Sequence, residues 1–466
     1  MSVKGVRSVT PLSNGIAVVA DGWWTARKGL AALQPQWATT EYDRVDDRSI
    51  KDQLWRDLKA QAGHLAKREG DPDPVLREGP TFTRRYEVPF LAHATMEPMT
   101  CVAKFDGTRC DIWVGSQQPG RARREAAELL KISEDAVTIN PTLAGGGFGR
   151  RQEPDFVLQA VALAQAHPGR PVKLIWSREE DTQHSWYRPS GVSELSAAFG
   201  DGTVKAWRHR QATPAVLERA FPAVSKMVPY DITVSDGIYP LYKFSNQDAW
   251  WVKSNTHVPV GMWRSVGASQ TIFAIESFMD EMALELGKDP FQFRRDHLRH
   301  DARAVAAWDR LGAMCGWERA KAENRAIGFA ISHKNDDCLV AQAAEVIRDG
   351  SAFRVKRIWT VADPGKVIAP DMAKSQLEGA ALWALTAALY GHISIKSGRV
   401  KESNFHDYPM IKLSDAPEFE TELIESGGKI EGMGEGGAPG VAPAVCNAVF
   451  KLTGQRVRTL PILPQA

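Results

Sequence analysis

The sequence predicts an α+β chain of two main domains preceded by an N-terminal fragment. Segments that alternate with period two and segments with a 3.6-residue apolar stripe follow one another along most of its length. Two polar stretches, at 67–80 and near 315–327, interrupt them. The 466 residues are 43% apolar and 24% charged, ordinary values for a chain with a real core. At ~150 residues per domain that length corresponds to about three domains.

Residues 14–20 (GIAVVAD) read as a strand and 22–33 as a helix. A βα piece of that size buries neither face alone, so residues 1–40 are expected to lean on something else. The stretch 67–80 (KREGDPDPVLREGP), charged and rich in proline and glycine, reads as a linker. Further along, 111–115 and 136–143 alternate as strands, while 120–132 and 154–166 have helical spacing, the latter with Pro154 near its first turn. The clearest helix is 269–286. It starts at Ser269, carries Ile272, Ile275, Met279, Met282 and Leu286 on one stripe, and is closed by Gly287 and Pro290. Beyond the second polar stretch come strands at 341–347 and 354–361, helices at 373–389 and 443–453, and a strand-like run at 421–426. There is no internal repeat and no low-complexity tract.

Composition removes several classes of function. Fifty-eight basic residues against 56 acidic ones leave a formal charge of +2, which gives no footprint for nucleic acid or an anionic membrane. Cys101, Cys110, Cys315, Cys338 and Cys446 include no CxxC. That spacing argues against a disulfide scaffold, a zinc ribbon or a ferredoxin-type cluster. No apolar run approaches the ~18 residues of a membrane helix, the longest being 379–390. The opening MSVKG shows neither an apolar signal core nor a twin-arginine pair.

Two glycine clusters carry the chemistry. The first, 145–151 (GGGFGRR), lies between a strand and a helix, where glycines let backbone N–H groups approach a ligand and a helix start favours anions. It is neither a P-loop nor GxGxxG, and a tight strand-to-helix turn is the alternative. The second, 432–437 (GMGEGG), matches GxGxxG by letters but has no βαβ unit and no acidic residue ~20 positions on, so a dinucleotide site fails on context. Glu435 stands out there, either as a solvated turn residue or as a general base held against a cofactor by close backbone. There is no HExxH and no GxSxG. His297 and His300, three apart, read as a wet helix face rather than a metal pair. The 15 tryptophans, with no basic stripe beside them, read as core and interface.

Several longer peptides are specific enough to place the chain. They are 86–99 (YEVPFLAHATMEPM), 115–121 (GSQQPGR), 145–151 (GGGFGRR), 176–189 (WSREEDTQHSWYRP), 258–295 (VPVGMWRSVGASQ…SFMDEMALELGKDPFQFRR), 403–409 (SNFHDYP) and 434–449 (GEGGAPGVAPAVCNAV). In these the sequence resembles the molybdenum-cofactor-binding subunit of the xanthine dehydrogenase and aldehyde oxidase superfamily. Within it, the sequence is most similar to the branch of the isoquinoline 1-oxidoreductase beta subunit. The resemblance covers most of 14–466, and the βα piece at the start resembles the end of that family's hammerhead domain.

The resemblance implies two molybdenum-cofactor-binding domains, at 80–320 and 325–466, behind a partial hammerhead remnant and linker at 1–66. It implies molybdenum on molybdopterin, expected in the cytosine dinucleotide form, and hydroxylation of an aldehyde or N-heteroaromatic carbon with water as oxygen source. Residue by residue, Gly146, Gly147, Phe148 and Gly149 would lie against metal and pterin. Gln117 would hydrogen-bond an oxygen ligand of the metal, and Gln376 and Gly434 would contact the cofactor. Arg264 would orient substrate or offset developing negative charge, and Glu435 would be the catalytic base; no side chain is assigned as a metal ligand. Because no cluster-forming cysteines are present, electrons are expected to pass to a small [2Fe–2S] subunit, with a cytochrome c as a further acceptor.

Departures narrow the reading. No Gly-Gln-Gly motif is found, so another chain is expected to supply an N-terminal section, or the chain is a truncation. Gly436 replaces the proline usual after the catalytic glutamate. Gln152 stands where xanthine dehydrogenases have a substrate-contacting glutamate, which argues against purines. The stretch 335–339 (NDDCL) is expected to alter the pocket. Localisation, whether soluble, periplasmic or membrane-associated, rests on analogy. The competing reading is a cofactor-free scaffold subunit; a nicotinamide-linked dehydrogenase is disfavoured by the missing βαβ context.

Overall fold

Each of the two units into which the chain divides is built around its own sheets and core. The computed structural model describes residues 3–333, 338–350 and 352–463. The first unit comprises Met1–Val45, Ala92–Trp186 and Ile395–Asn404, and the second Asp46–Leu91, Tyr187–Ser394 and Phe405–Ala466.

In the first unit a four-stranded sheet runs in the order Val137–Pro141, Cys110–Val114, Thr100–Phe105, Pro171–Ile175. The first pair is parallel and the other two are antiparallel. The parallel pair is joined through the helix Pro119–Leu130, which starts with proline at its first position and buries Ala122, Ala126, Ala127 and Leu130 as one stripe. With the helix Asp155–Ala166 it encloses a core of Met99, Cys101, Ile112, Phe156, Val161 and Trp176. The N-terminal piece is a ribbon, Val6–Leu12 paired antiparallel with Gly15–Ala20, followed by the helix Trp23–Leu33. It does lean on something: Leu12, Ala17 and Val19 pack on the core of this same unit. The strand Val6–Leu12 has no clear signature in the sequence, because its apolar residues are separated by Arg7, Ser8 and Thr10.

The second unit holds two sheets. One has five strands in the order His64–Glu69, Gln247–Lys253, Thr203–Thr213, Gly191–Gly200, Thr81–Val88. The other has the order Ile327–Ser332, Leu339–Asp349, Ala352–Asp363, Glu418–Leu423. The helix Ala268–Glu285 is buried at every residue from Ala268 to Ala283. Its Phe273, Phe278, Met279 and Met282 share one core with Leu195 and Trp207 of the first sheet and Phe329 and Ile331 of the second. The helices Pro370–Leu389 and Val441–Thr453 pack on the four-stranded sheet through a second cluster that includes Ala381, Leu385, Val441 and Val445.

Three local readings are corrected. The stretch 67–80 is no linker: it carries the end of the edge strand His64–Glu69 and the helix Pro72–Glu78, capped by Asp71. Two of its charges are paired at long range, Arg68 with the fully buried Asp248 at 2.8 Å and Asp73 with Arg208. The long helix begins at Ala268, so Ser269 lies inside it, its Oγ–H donating to the Val266 carbonyl. His297 is half-buried rather than wet; its ring packs on Phe293 and Phe244, and burial lowers its pKa. Residues 335–337 of the stretch expected to alter the pocket lie outside the described residues, while Cys338 and Leu339 are buried. Among the described residues no helix is long and apolar enough to cross a membrane.

Candidate active site

In the first unit the strand Val137–Pro141 runs out into the glycine loop, which re-enters regular structure as the turn Arg150–Gln152 and the helix Asp155–Ala166. Gly146 and Gly149 sit at φ +100° and +105°, a region glycine enters freely. Phe148 lies at φ +53°, and its ring folds over Gly146 so closely that a Cβ there would be 2.9 Å from Cε2. A Cβ on Gly147 would be 2.5 Å from Gln117 Oε1, so the loop and Gln117 are in direct contact. That oxygen accepts the Gly149 N–H at 3.1 Å, and the Gln117 N–H donates to the Arg151 carbonyl at 3.0 Å. Arg150, fully buried, forks onto Asp155 with two 2.9 Å bonds and lies over Trp176.

In the second unit, two neighbours on one segment meet two neighbours on another. Arg264 Nε donates to the Gly434 carbonyl at 2.7 Å, and its terminal nitrogen donates to the Gln376 carbonyl and Oε1 at 3.1 and 3.2 Å. Burial lowers the Arg264 pKa to about 10, which keeps it protonated at neutral pH. Ser265 meets Glu435 twice: its N–H donates to Oε1 at 2.9 Å and its hydroxyl to the Glu435 carbonyl at 2.7 Å. This grip depends on an unusual turn in which Ser265 and Val266 take φ +74° and +44°. Such values are strained for a β-branched residue. The turn is held by the Val266 N–H on the Trp263 carbonyl at 2.6 Å and the Gly267 N–H on the Thr233 carbonyl at 2.9 Å. The glycines after Glu435 let this segment lie flat on its surroundings, with the Gln342 amide donating to the Gly437 carbonyl at 2.9 Å.

The structure thus brings Gln117 together with Gly146, Gly147, Phe148 and Gly149 in the first unit. It brings Arg264, Gln376, Gly434 and Glu435 together in the second. Glu435 lies in a turn, half-buried, with its carboxylate anchored on the Ser265 N–H. Three residues without an assigned role turn out to organise these clusters. Glu97 and Arg151 hold the glycine loop, and Ser265 holds Glu435. The signal for Arg151 is present in the sequence, since two arginines after a glycine run must find partners if the turn is buried. Ser265 acts largely through a main-chain N–H, which no side-chain pattern announces.

The donor set suits a neutral or anionic acceptor-rich group. Gly146 and Gly147 are half-buried, and their N–H groups have no acceptor among the described residues. Gln117, in the same unit, commits its amide oxygen to the Gly149 N–H and leaves an exposed NH₂ to give. A pterin with oxygen and sulfur ligands on a metal presents the acceptors such a cradle would serve.

Comparison with known proteins agrees with this chemistry. A family model described as a molybdopterin cofactor-binding domain matches residues 57–298, and a second of the same description matches 274–417. The beta subunit of isoquinoline 1-oxidoreductase from Brevundimonas diminuta is 31% identical over 99% of this chain and 61% of its own length. A nicotinate dehydrogenase subunit of Pseudomonas putida is 26% identical over 99% of this chain and 41% of its own. The chain therefore spans about three-fifths or less of these curated relatives. Quinoline 2-oxidoreductase from Pseudomonas putida 86 has the same fold, with a TM-score of 0.76 at 18% identity over 99% of this chain and 87% of that one. Aldehyde oxidoreductase from Desulfovibrio gigas has a TM-score of 0.73 at 16% identity, over 86% of this chain and 62% of its own. By these matches the chain belongs to the xanthine dehydrogenase and aldehyde oxidase family, as two molybdopterin cofactor-binding domains.

Proposed function

We propose that this chain is the catalytic, cofactor-binding portion of a molybdenum hydroxylase that oxidises an aldehyde or an N-heteroaromatic compound with water as the oxygen source. The observation that carries this reading is the double grip of Ser265 on Glu435, next to the bonds of Arg264 to Gly434 and Gln376. Molybdopterin, in the cytosine dinucleotide form, supplies a two-electron redox centre when bound. The residues proposed to contact it are Gly146, Gly147, Phe148, Gly149, Gln117, Gln376 and Gly434. Glu435, fixed through Oε1, is the base that takes a proton from the oxygen nucleophile. Arg264, charged and largely buried, offsets negative charge that builds on the substrate. Electrons leave to a separate [2Fe–2S] subunit, a reading supported by five cysteines that are buried without CxxC spacing.

The test uses the chain purified with whatever accompanies it. Elemental analysis and nucleotide release are expected to give equimolar molybdenum and CMP. In Glu435→Gln both stay unchanged while turnover of aldehydes and isoquinoline-type heterocycles falls by about 10²–10⁴. Full turnover in the variant removes Glu435 from the role of base. Absence of molybdenum, alone and with partners, makes the chain a cofactor-free scaffold subunit.

A further inference from the structure

The second arginine of the GGGFGRR peptide has no place in the proposed chemistry, yet it is almost fully buried and its side chain makes four hydrogen bonds. Arg151 is 1% exposed. Its Nε donates to the Gly146 carbonyl at 2.7 Å, one terminal nitrogen to the Gly115 carbonyl at 3.4 Å, and the other to Glu97 at both the carbonyl, 3.0 Å, and Oε2, 2.6 Å. Its own carbonyl accepts the Gln117 N–H at 3.0 Å and the Ser116 hydroxyl at 3.3 Å. One residue therefore holds the glycine loop with its side chain and the Gln117 segment with its backbone.

Glu97 completes the arrangement from the other side. Its Oε2 accepts the Gly145 N–H at 2.8 Å while its own N–H donates to the Gly145 carbonyl at 3.1 Å, a two-way clasp. A Cβ on Gly145 would collide with the Glu97 Cβ, so the clasp needs glycine at that position. Glu97 is in turn fixed by the Thr95 hydroxyl on its carbonyl at 2.7 Å. Arg178, paired with Asp181, reaches the carbonyls of Thr95 and Met96. Taking a guanidinium out of water is costly unless every donor finds a partner. Here the partners are the carbonyls and the carboxylate that set the conformation of the loop.

We propose that Glu97 and Arg151 are the positioning pair of the cofactor loop. Their ion pair holds Gly145–Gly149 and Gln117 in the one arrangement that leaves the Gly146 and Gly147 N–H groups and the Gln117 NH₂ turned outward as donors. Neither residue touches the reacting atoms. That the ligand so served is molybdopterin rests on the function proposed above, whereas the pairing itself does not.

Two variants separate the claims. Glu97→Gln keeps an acceptor for the Gly145 N–H but removes the charge, and Arg151→Lys keeps the charge but loses the fork. Hydrogen exchange followed by mass spectrometry is read on peptides spanning 143–150, with 156–164 of the neighbouring helix as the control. Molybdenum content and thermal midpoint are measured on the same preparations. Loss of one charge-assisted hydrogen bond predicts loop exchange faster by about tenfold or more in Glu97→Gln. The control peptide stays protected, the midpoint is little changed, and molybdenum is lost. Unaltered loop exchange in Glu97→Gln overturns the proposal, whatever the metal content, and so does a variant whose loop and control peptides loosen alike. If Arg151→Lys does not fold, Glu97→Gln alone decides. A wild-type complex without molybdenum in which Glu97→Gln still loosens the loop leaves the pairing standing and removes the cofactor reading.

Discussion

Val266 is the residue at which local preference and the site pull against each other. A valine at φ +44° costs about 1–3 kcal/mol of strain, and its neighbour Ser265 uses the resulting turn to fix Glu435. Val266→Gly is expected to raise stability in urea by up to about 1 kcal/mol, since the relief of strain exceeds the entropy glycine loses on folding. Turnover falls because the turn no longer enforces the Ser265 N–H. A destabilised variant would mean that Val266 is there for its packing instead. His209 offers a second measurement at this scale. It is fully buried, donates from Nδ1 to the Ile238 carbonyl and accepts the Ser193 hydroxyl at Nε2, and burial lowers its pKa to about 4. The unfolded chain takes up a proton near pH 6.5, which the native histidine refuses until about pH 4. Stability therefore falls with pH through that window, by roughly 1.4 kcal/mol per unit. Urea titrations at pH 7.5 and 5 are expected to show wild type losing about 2 kcal/mol more than His209→Asn.

Among the elements, the buried helix Ala268–Glu285 shows how charge survives in a core. Glu276 accepts from Arg294 Nε at 2.8 Å and from the Tyr242 hydroxyl at 2.7 Å, and all three side chains are buried. Arg294→Leu leaves Glu276 uncompensated and is expected to cost about 3–5 kcal/mol. The double change with Glu276→Leu is expected to recover most of that in chemical denaturation, because the desolvation of both charges disappears together. Packing of the helix Val441–Thr453 on the strand Ile327–Ser332 is closer still. A Cβ on Gly328 would strike the backbone of Ala444 and Ala448. Gly328→Ala is expected to destabilise by about 1–3 kcal/mol or more, since main chain cannot swing aside. The segment 67–80 fails as a linker for the same reason the helix tolerates charge: Arg68 and Asp73 find partners, Asp248 and Arg208, far along the chain.

Across the whole molecule the cysteines define a testable inertness. All five are buried and none is in a disulfide. Burial pushes the thiols of Cys101 and Cys315 up to about 12, that of Cys110 to about 11, and that of Cys446 well above its ordinary value. The native chain at pH 8 is expected to resist iodoacetamide and to take up five labels only in denaturant, as read by intact mass. Rapid native labelling at any one of them would show that its surroundings open. Glu435, Arg264 and Gln376 were legible through the peptides around them, and the glycine loops through their composition. The contacts that bring them together were not, because Ser265 and Glu435 are 170 positions apart.

By itself the sequence determined what is local: the alternating strands, the striped helices, the positions where only glycine turns the chain, and the peptides that mark the family. Each of these depends on residues within a turn or two, so periodicity and composition carry it. Only the tertiary structure decided which charges are buried with partners, that 67–80 holds the end of an edge strand and a helix, and that Arg151 and Ser265 hold the glycine loop and Glu435. Those outcomes depend on hydrogen bonds between segments distant along the chain, where the cost of burying a charge or straining a turn is offset by groups that no local pattern names.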